Sequence, residues 1–169
     1  MNLHIGGETP KNGWKILNIQ SKPFVDYIGC ISDLSQFENE SFNEVYASHV
    51  FEHVLQKDIQ STLIGINRII KSGGKFHLSV PDMDKLCMLY LNKELNFDQR
   101  WHVMRMIFGG QIDPYDIHYV GWNYDFLSKF LFNSGFNQVQ RHDLLGIFND
   151  TSNFAPYGTY ISLNLTAIK

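Results

Sequence analysis

Apolar and polar positions alternate in short runs early in the chain and recur at helical spacing later. Leu3-His4-Ile5, running into Gly6-Gly7, reads as a short buried strand that ends in a glycine turn. Trp14 to Ile19 alternates and predicts a second strand, Val25 to Cys30 a third, and Phe42 to Ser48 a fourth after the polar Glu38–Ser41 turn. Ile59, Leu63, Ile66 and Ile70 then fall on one face of a helix. Asp58 stands at its N-terminal end, Arg68 and Lys71 at its C-terminal end, and Gly73-Gly74 is expected to close it. Lys75 to Val80 predicts a strand stopped by Pro81, and helices are expected over 84–91 and 97–108. A loop from Gly109 to Gly121 leads to a helix carrying Phe126, Leu127, Phe130 and Leu131, closed by Gly135. Residues 136–145 and 159–168 read as two final strands that pair with each other.

Strands and helices alternate through the middle of the chain, which predicts an α/β fold. Its sheet would be mostly parallel, with helices on its faces and one antiparallel strand near the edge. The connections between the first three strands are too short for crossover helices, so the N-terminal half reads as trimmed. With 169 residues, no internal repeat and no linker-like stretch, residues 1–169 are expected to form one domain.

Charge and composition narrow the partners. A formal charge of −3 with no Lys/Arg run argues against nucleic acid. Neither a secretory leader nor a membrane-length apolar run is read, so a cytoplasmic protein is expected. Cys30 and Cys87 have no metal-ligand spacing and read as buried free thiols; Met83, Met88, Met104 and Met106 read as core filler. Aromatic residues make up 14% of the chain and crowd its second half, where they would fill the core or line a pocket.

Several segments, taken in order, carry a resemblance. Leu3-His4-Ile5-Gly6-Gly7 is followed by Asp33-Leu34, then Tyr46-Ala47-Ser48-His49-Val50-Phe51-Glu52-His53, then Lys71-Ser72-Gly73-Gly74 and Ser79-Val80-Pro81-Asp82. This series resembles the small type-11 group of class I S-adenosylmethionine-dependent methyltransferases, over nearly the whole chain. The resemblance implies a Rossmann-like fold, S-adenosylmethionine as cofactor, and methyl transfer to an oxygen or nitrogen of a small organic acceptor. Gly6 and Gly7 would let backbone approach the methionine part of the cofactor. Asp33 and Leu34 would hold the adenine, and Ser48 and His49 would lie near the sulfonium. Gln20 stands where the family places an acid that grips the ribose, and the glycine turn is shorter than the family's. Both departures favour an alternative reading, a methyltransferase-fold protein that binds a ligand or partner without catalysis. A homo-oligomer could cover the thinned half.

The long aromatic and acidic loop 109–121 is the expected acceptor site, with His118 as the candidate general base. His49, Glu52 and His53 also spell the H-x-x-E-H of inverted zinc peptidases, for which Glu94, Asp113 or His118 would have to supply a third ligand. No spacing supports that choice, so no metal is expected and Glu52 and His53 are read as hydrogen-bonding at the strand-to-helix junction. Asp82-Met83-Asp84 resembles the metal-binding acids of glycosyltransferases, but Asp82 after a strand is more simply a helix cap.

Overall fold

The computed structural model describes residues 1–169. Its strands are β1 (Asn2–Ile5), β2 (Trp14–Asn18), β3 (Tyr27–Ile28), β4 (Phe42–Ser48), β5 (Ile70–Pro81), β6 (Gln138–His142) and β7 (Ser162–Ile168). They form one seven-stranded sheet in the order β3-β2-β1-β4-β5-β7-β6. Every pairing is parallel except those of β7, which runs antiparallel to both β5 and β6. The expected α/β sheet with one reversed strand near its edge is therefore present.

The helices are α1 (Ile59–Ile69), α2 (Met83–Leu91), α3 (Phe97–Phe108) and α4 (Tyr124–Asn133). On α1, Ile59, Leu63, Ile66 and Ile69 are buried, and they join the main apolar core with Leu3, Ile5, Val45, Ala47, Phe76 and Leu78 from the strands. Each of these side chains other than Ala47 contributes about 1.5–3 kcal/mol relative to exposure. Asp82 caps α2 by accepting from the Lys85 backbone N–H, and Arg141 pairs with its other oxygen at 2.9 Å. Asp82 is thus a helix cap, as expected. Asn96 and Gln99 form a reciprocal capping box that starts α3.

Several expectations are corrected. Gly73-Gly74 does not close α1: the helix ends at Ile69, and buried Ile70 already pairs with Phe42 in the sheet. The glycines lie in an excursion before Lys75 pairs with Glu44. There Gly73 adopts φ +74° and a Cβ on Gly74 would strike the Asn43 carbonyl. Cys30 and Cys87 are both exposed, Cys87 because it falls on the outer face of α2. Met88 is 74% exposed, and Met83, Met104 and Met106 are only half-buried, because α2 and α3 pack mainly on each other and leave their outer faces to solvent.

The short connections read from sequence are real, since no helix lies between β1 and β4. One face of that half is closed by Ile31, Leu34 and Phe37. On the other, His4, Ile16 and Tyr46 are buried, and the segment between β6 and β7 folds back over them. Phe148 of that segment packs on the His4 ring at 4.1 Å and on Tyr46 at 4.9 Å, and the Tyr46 hydroxyl donates to Asp150 Oδ2 at 2.8 Å. No helix is long and apolar enough to cross a membrane.

Candidate active site

In an open α/β sheet ligands bind beyond the carboxyl ends of the strands, where the strand order reverses. Here that point lies between β1 and β4, and a cavity of about 460 Å³ opens there. Its walls come from the ends of four strands: Ile5 and Gly6 after β1, Asn18 and Gln20 after β2, residues 29–32 after β3, and His49 and Val50 after β4. The loop 109–121 supplies Pro114, Tyr115 and Tyr119. It is held against the segment after β4 by backbone and side-chain hydrogen bonds: Tyr119 N–H to Glu52 O at 2.9 Å, His53 Nδ1 to Ile117 O at 3.0 Å, and Gln56 Nε2 to Tyr119 O at 2.9 Å.

Of the residues expected to hold the cofactor, Gly6, Gln20 and His49 line this cavity. Gly6 has φ +73°, and a Cβ there would overlap Val50 Cγ2, so the turn needs glycine on both counts. Gly7 does not line the cavity; its Cα sits beneath the His4 ring, and its carbonyl accepts from Asn18 Nδ2 at 3.2 Å. Leu34 is core, and Ser48 ends β4 with its hydroxyl buried. Asp33 also stands outside the lining. It turns its carboxylate to the Ser35 backbone N–H at 3.0 Å, and hydrogen bonds from Ser35 hold its pKa below the ordinary carboxylate range. In its place Cys30, Ile31 and Ser32 face the cavity. Sequence reasoning missed those residues and Asn18. Asn18 is buried and ties β2 to the glycine turn while its Oδ1 receives the Gln20 N–H at 2.9 Å.

The far wall holds a histidine cluster. His49 adopts φ +52°, an uncommon conformation for a side chain of this size, two residues before the short 3-10 turn Phe51–His53. The α-helix that an H-x-x-E-H peptidase needs is therefore not formed here. Burial lowers the His49 pKa to about 4 and raises that of Glu52 to about 8. His118 does not line the cavity. It lies behind His53, with ring centroids 4.9 Å apart, and burial lowers its pKa as well. Glu52 Oε1 is 3.5 Å from His49 Nδ1 and 4.0 Å from both His53 Nε2 and His118 Nε2. The expected hydrogen bonds within the strand-to-helix junction are not made: the His53 side chain bonds across to Ile117 of loop 109–121, and the Glu52 carboxylate has no hydrogen-bond partner.

Comparison with known proteins agrees with this geometry. A methyltransferase-domain family model matches residues 14–78. No curated protein matches the sequence. Among solved structures, a SAM-dependent methyltransferase from Archaeoglobus fulgidus superposes with TM-score 0.62 at 14% identity, over 99% of this chain and 85% of that one. A possible histamine N-methyltransferase from Thermotoga maritima gives 0.61 at 17% identity, over 99% and 81%. The Burkholderia thailandensis 1,6-didemethyltoxoflavin-N1-methyltransferase, solved with its substrate and S-adenosylhomocysteine, gives 0.61 at 14% identity, over 99% and 70%. By strand order, by the matched model and by these superpositions, the chain has the Rossmann-like fold of the class I S-adenosylmethionine-dependent methyltransferases.

Proposed function

We propose that the cavity between β1 and β4 binds S-adenosylmethionine and that the protein transfers its methyl group to an oxygen or nitrogen of a small organic acceptor. The observation that carries this reading is the cavity itself. It lies at the strand-order reversal, its glycine turn admits no Cβ, and the matched family model spans most of its lining strands. Two of the similar structures bear N-methyltransferase descriptions, which supports a nitrogen acceptor as the first to screen.

When bound, the cofactor supplies a methyl group already activated by its sulfonium, so the chain's contribution is mainly alignment. Gly6 and Val50 would flank the methionine part, Gln20 would offer its amide to the ribose hydroxyls, and Ile31 with Ser32 would border the adenine. Gln20 is neutral, so its bonds are weaker than those of a carboxylate. Tyr115 and Tyr119 would face the acceptor. His49, with its pKa held near 4, is neutral at physiological pH but too weak a base to deprotonate an alcohol. Its contribution is positioning, and His118 acts through His53 because it does not reach the cavity.

Titration calorimetry with S-adenosylmethionine and S-adenosylhomocysteine tests the reading. Gln20 is an exposed residue, so Gln20→Ala is expected to weaken binding roughly ten-fold, about 1.4 kcal/mol, with the fold unchanged. Absence of binding to the folded wild-type protein would favour the non-catalytic alternative, to which the short glycine turn and Gln20 already lean.

A further inference from the structure

We propose that Glu52, His53 and His118, with His49 beside them, form a binding site for a divalent transition metal ion of the zinc type. This proposal is separable from the cofactor reading: His49 and His53 border the cavity, but Glu52 and His118, on which the test turns, lie outside its lining.

The geometry has three independent parts. First, the ligand atoms of Glu52, His53 and His118 lie within 4.8 Å of one another. Tetrahedral zinc with bonds of about 2.0–2.2 Å sets its ligand atoms roughly 3.3–3.5 Å apart. The 4.0 Å separations around Glu52 Oε1 therefore need a contraction of about 0.5–0.7 Å, the 3.5 Å one about 0.2 Å or less, and the pair of His53 and His118 about 1.5 Å at most.

Second, Glu52 is 1% exposed, both of its carboxylate oxygens are without a hydrogen-bond partner, and Oε1 points into the ring of histidines. Buried carboxylates are costly unless hydrogen-bonded, paired or bound to a metal.

Third, the outer nitrogens of two histidines fix which ring nitrogen carries the lone pair. His53 Nδ1 lies 3.0 Å from the Ile117 carbonyl, which can only accept, so Nδ1 is the protonated nitrogen and Nε2 presents a lone pair to Glu52. The Ser162 hydroxyl donates to the Thr151 carbonyl, so it accepts from His49 Nε2–H at 2.9 Å, and Nδ1 of that ring presents its lone pair to Glu52 as well. Metal-binding histidines are oriented in this way, through a hydrogen bond from the other ring nitrogen. Imidazole nitrogens with one carboxylate suit zinc and its neighbours in the first transition row, and do not suit magnesium or calcium. The Tyr119–Glu52 backbone bond and the His53–Ile117 bond also brace loop 109–121, so a bound ion would tie that loop to the end of β4.

The test is titration of chelator-treated protein with zinc chloride by calorimetry, with cobalt chloride absorption as a second readout of tetrahedral coordination. One zinc per chain is expected, together with a rise in melting temperature. His118→Ala and Glu52→Gln are each expected to weaken zinc binding by about 100-fold or more, since even outer-shell changes cost about 10–100-fold. His102→Ala, remote from the cluster, should bind as the wild type does. Circular dichroism identifies a variant that fails to fold, and the remaining variant then decides. No saturable one-to-one binding in the wild type would overturn the proposal, as would wild-type affinity in a folded His118→Ala or Glu52→Gln protein. S-adenosylhomocysteine titrated into the same samples reports on the cofactor site separately, so the two readings fail independently.

Discussion

Acidification should destabilise this protein in part through one histidine outside the cavity's lining. His4 is 5% exposed, lies between Tyr46 and Phe148, and has no partner for Nδ1. Burial lowers its pKa from 6.5 to about 4, and Asp150 offsets part of that effect. The folded chain therefore keeps His4 neutral while the unfolded chain takes up a proton, so stability is full above about 6.5 and is lost as the pH falls toward 4. Between pH 7 and pH 4.5 the loss from this residue comes to about 2–3 kcal/mol, at about 1.4 kcal/mol per unit of pKa difference. His49, His77 and His118 are also held below their ordinary range by burial and act in the same direction, so wild-type data alone cannot isolate His4. Urea unfolding of wild type and His4→Phe at both pH values does so. The variant should show a pH dependence smaller by about 2–3 kcal/mol. Equal pH dependence in the two proteins would refute the assignment of a buried neutral His4.

Three further outcomes follow from the packing. Gly6→Ala places a Cβ against Val50 at a left-handed φ; it should cost about 1–3 kcal/mol in chemical denaturation and at least ten-fold in S-adenosylhomocysteine affinity. Tyr46→Phe leaves Asp150 and Ser152 without the phenol and should cost about 1–2 kcal/mol, with cofactor affinity unchanged in calorimetry, because Tyr46 does not line the cavity. Leu63→Ala on the buried face of α1 should cost about 2–5 kcal/mol by urea unfolding, the range for a large-to-small change in a core.

Much of the sheet was legible because its strands are short and marked by punctuation. Alternation ending in Gly6-Gly7 located β1, Pro81 marked the end of β5, and the bounds expected for α3 match those observed. The C-terminal end of α1 was misplaced because a glycine pair serves a helix cap and a strand excursion equally well. Only the pairing of Ile70 with Phe42 distinguishes them, and that contact is long-range. Exposure of Met88 and Cys87 was hidden for a related reason: α2 is apolar on more than one face, and sequence does not say which face meets α3. The cover over His4 and Tyr46 comes from an irregular segment without periodicity, which leaves nothing to read.

The site was half legible. Gly6, Gln20 and His49 were located by their positions after strands, which the topology then brought to one edge. Asp33 followed the family pattern, yet a local turn with Ser35 directs its carboxylate elsewhere. Glu52 and His53 were visible as a motif, but His118 joins them only because loop 109–121 is hydrogen-bonded to the end of β4. No spacing along the chain encodes that contact.

The most direct test of the central claim is a crystal structure determined with S-adenosylhomocysteine at saturating concentration. The ligand is expected between β1 and β4, with its amino-acid part at Gly6 and Val50, its ribose at Gln20 and its adenine beside Ile31 and Ser32. An ordered sheet with no ligand in that cavity, or with the ligand bound elsewhere, would contradict it.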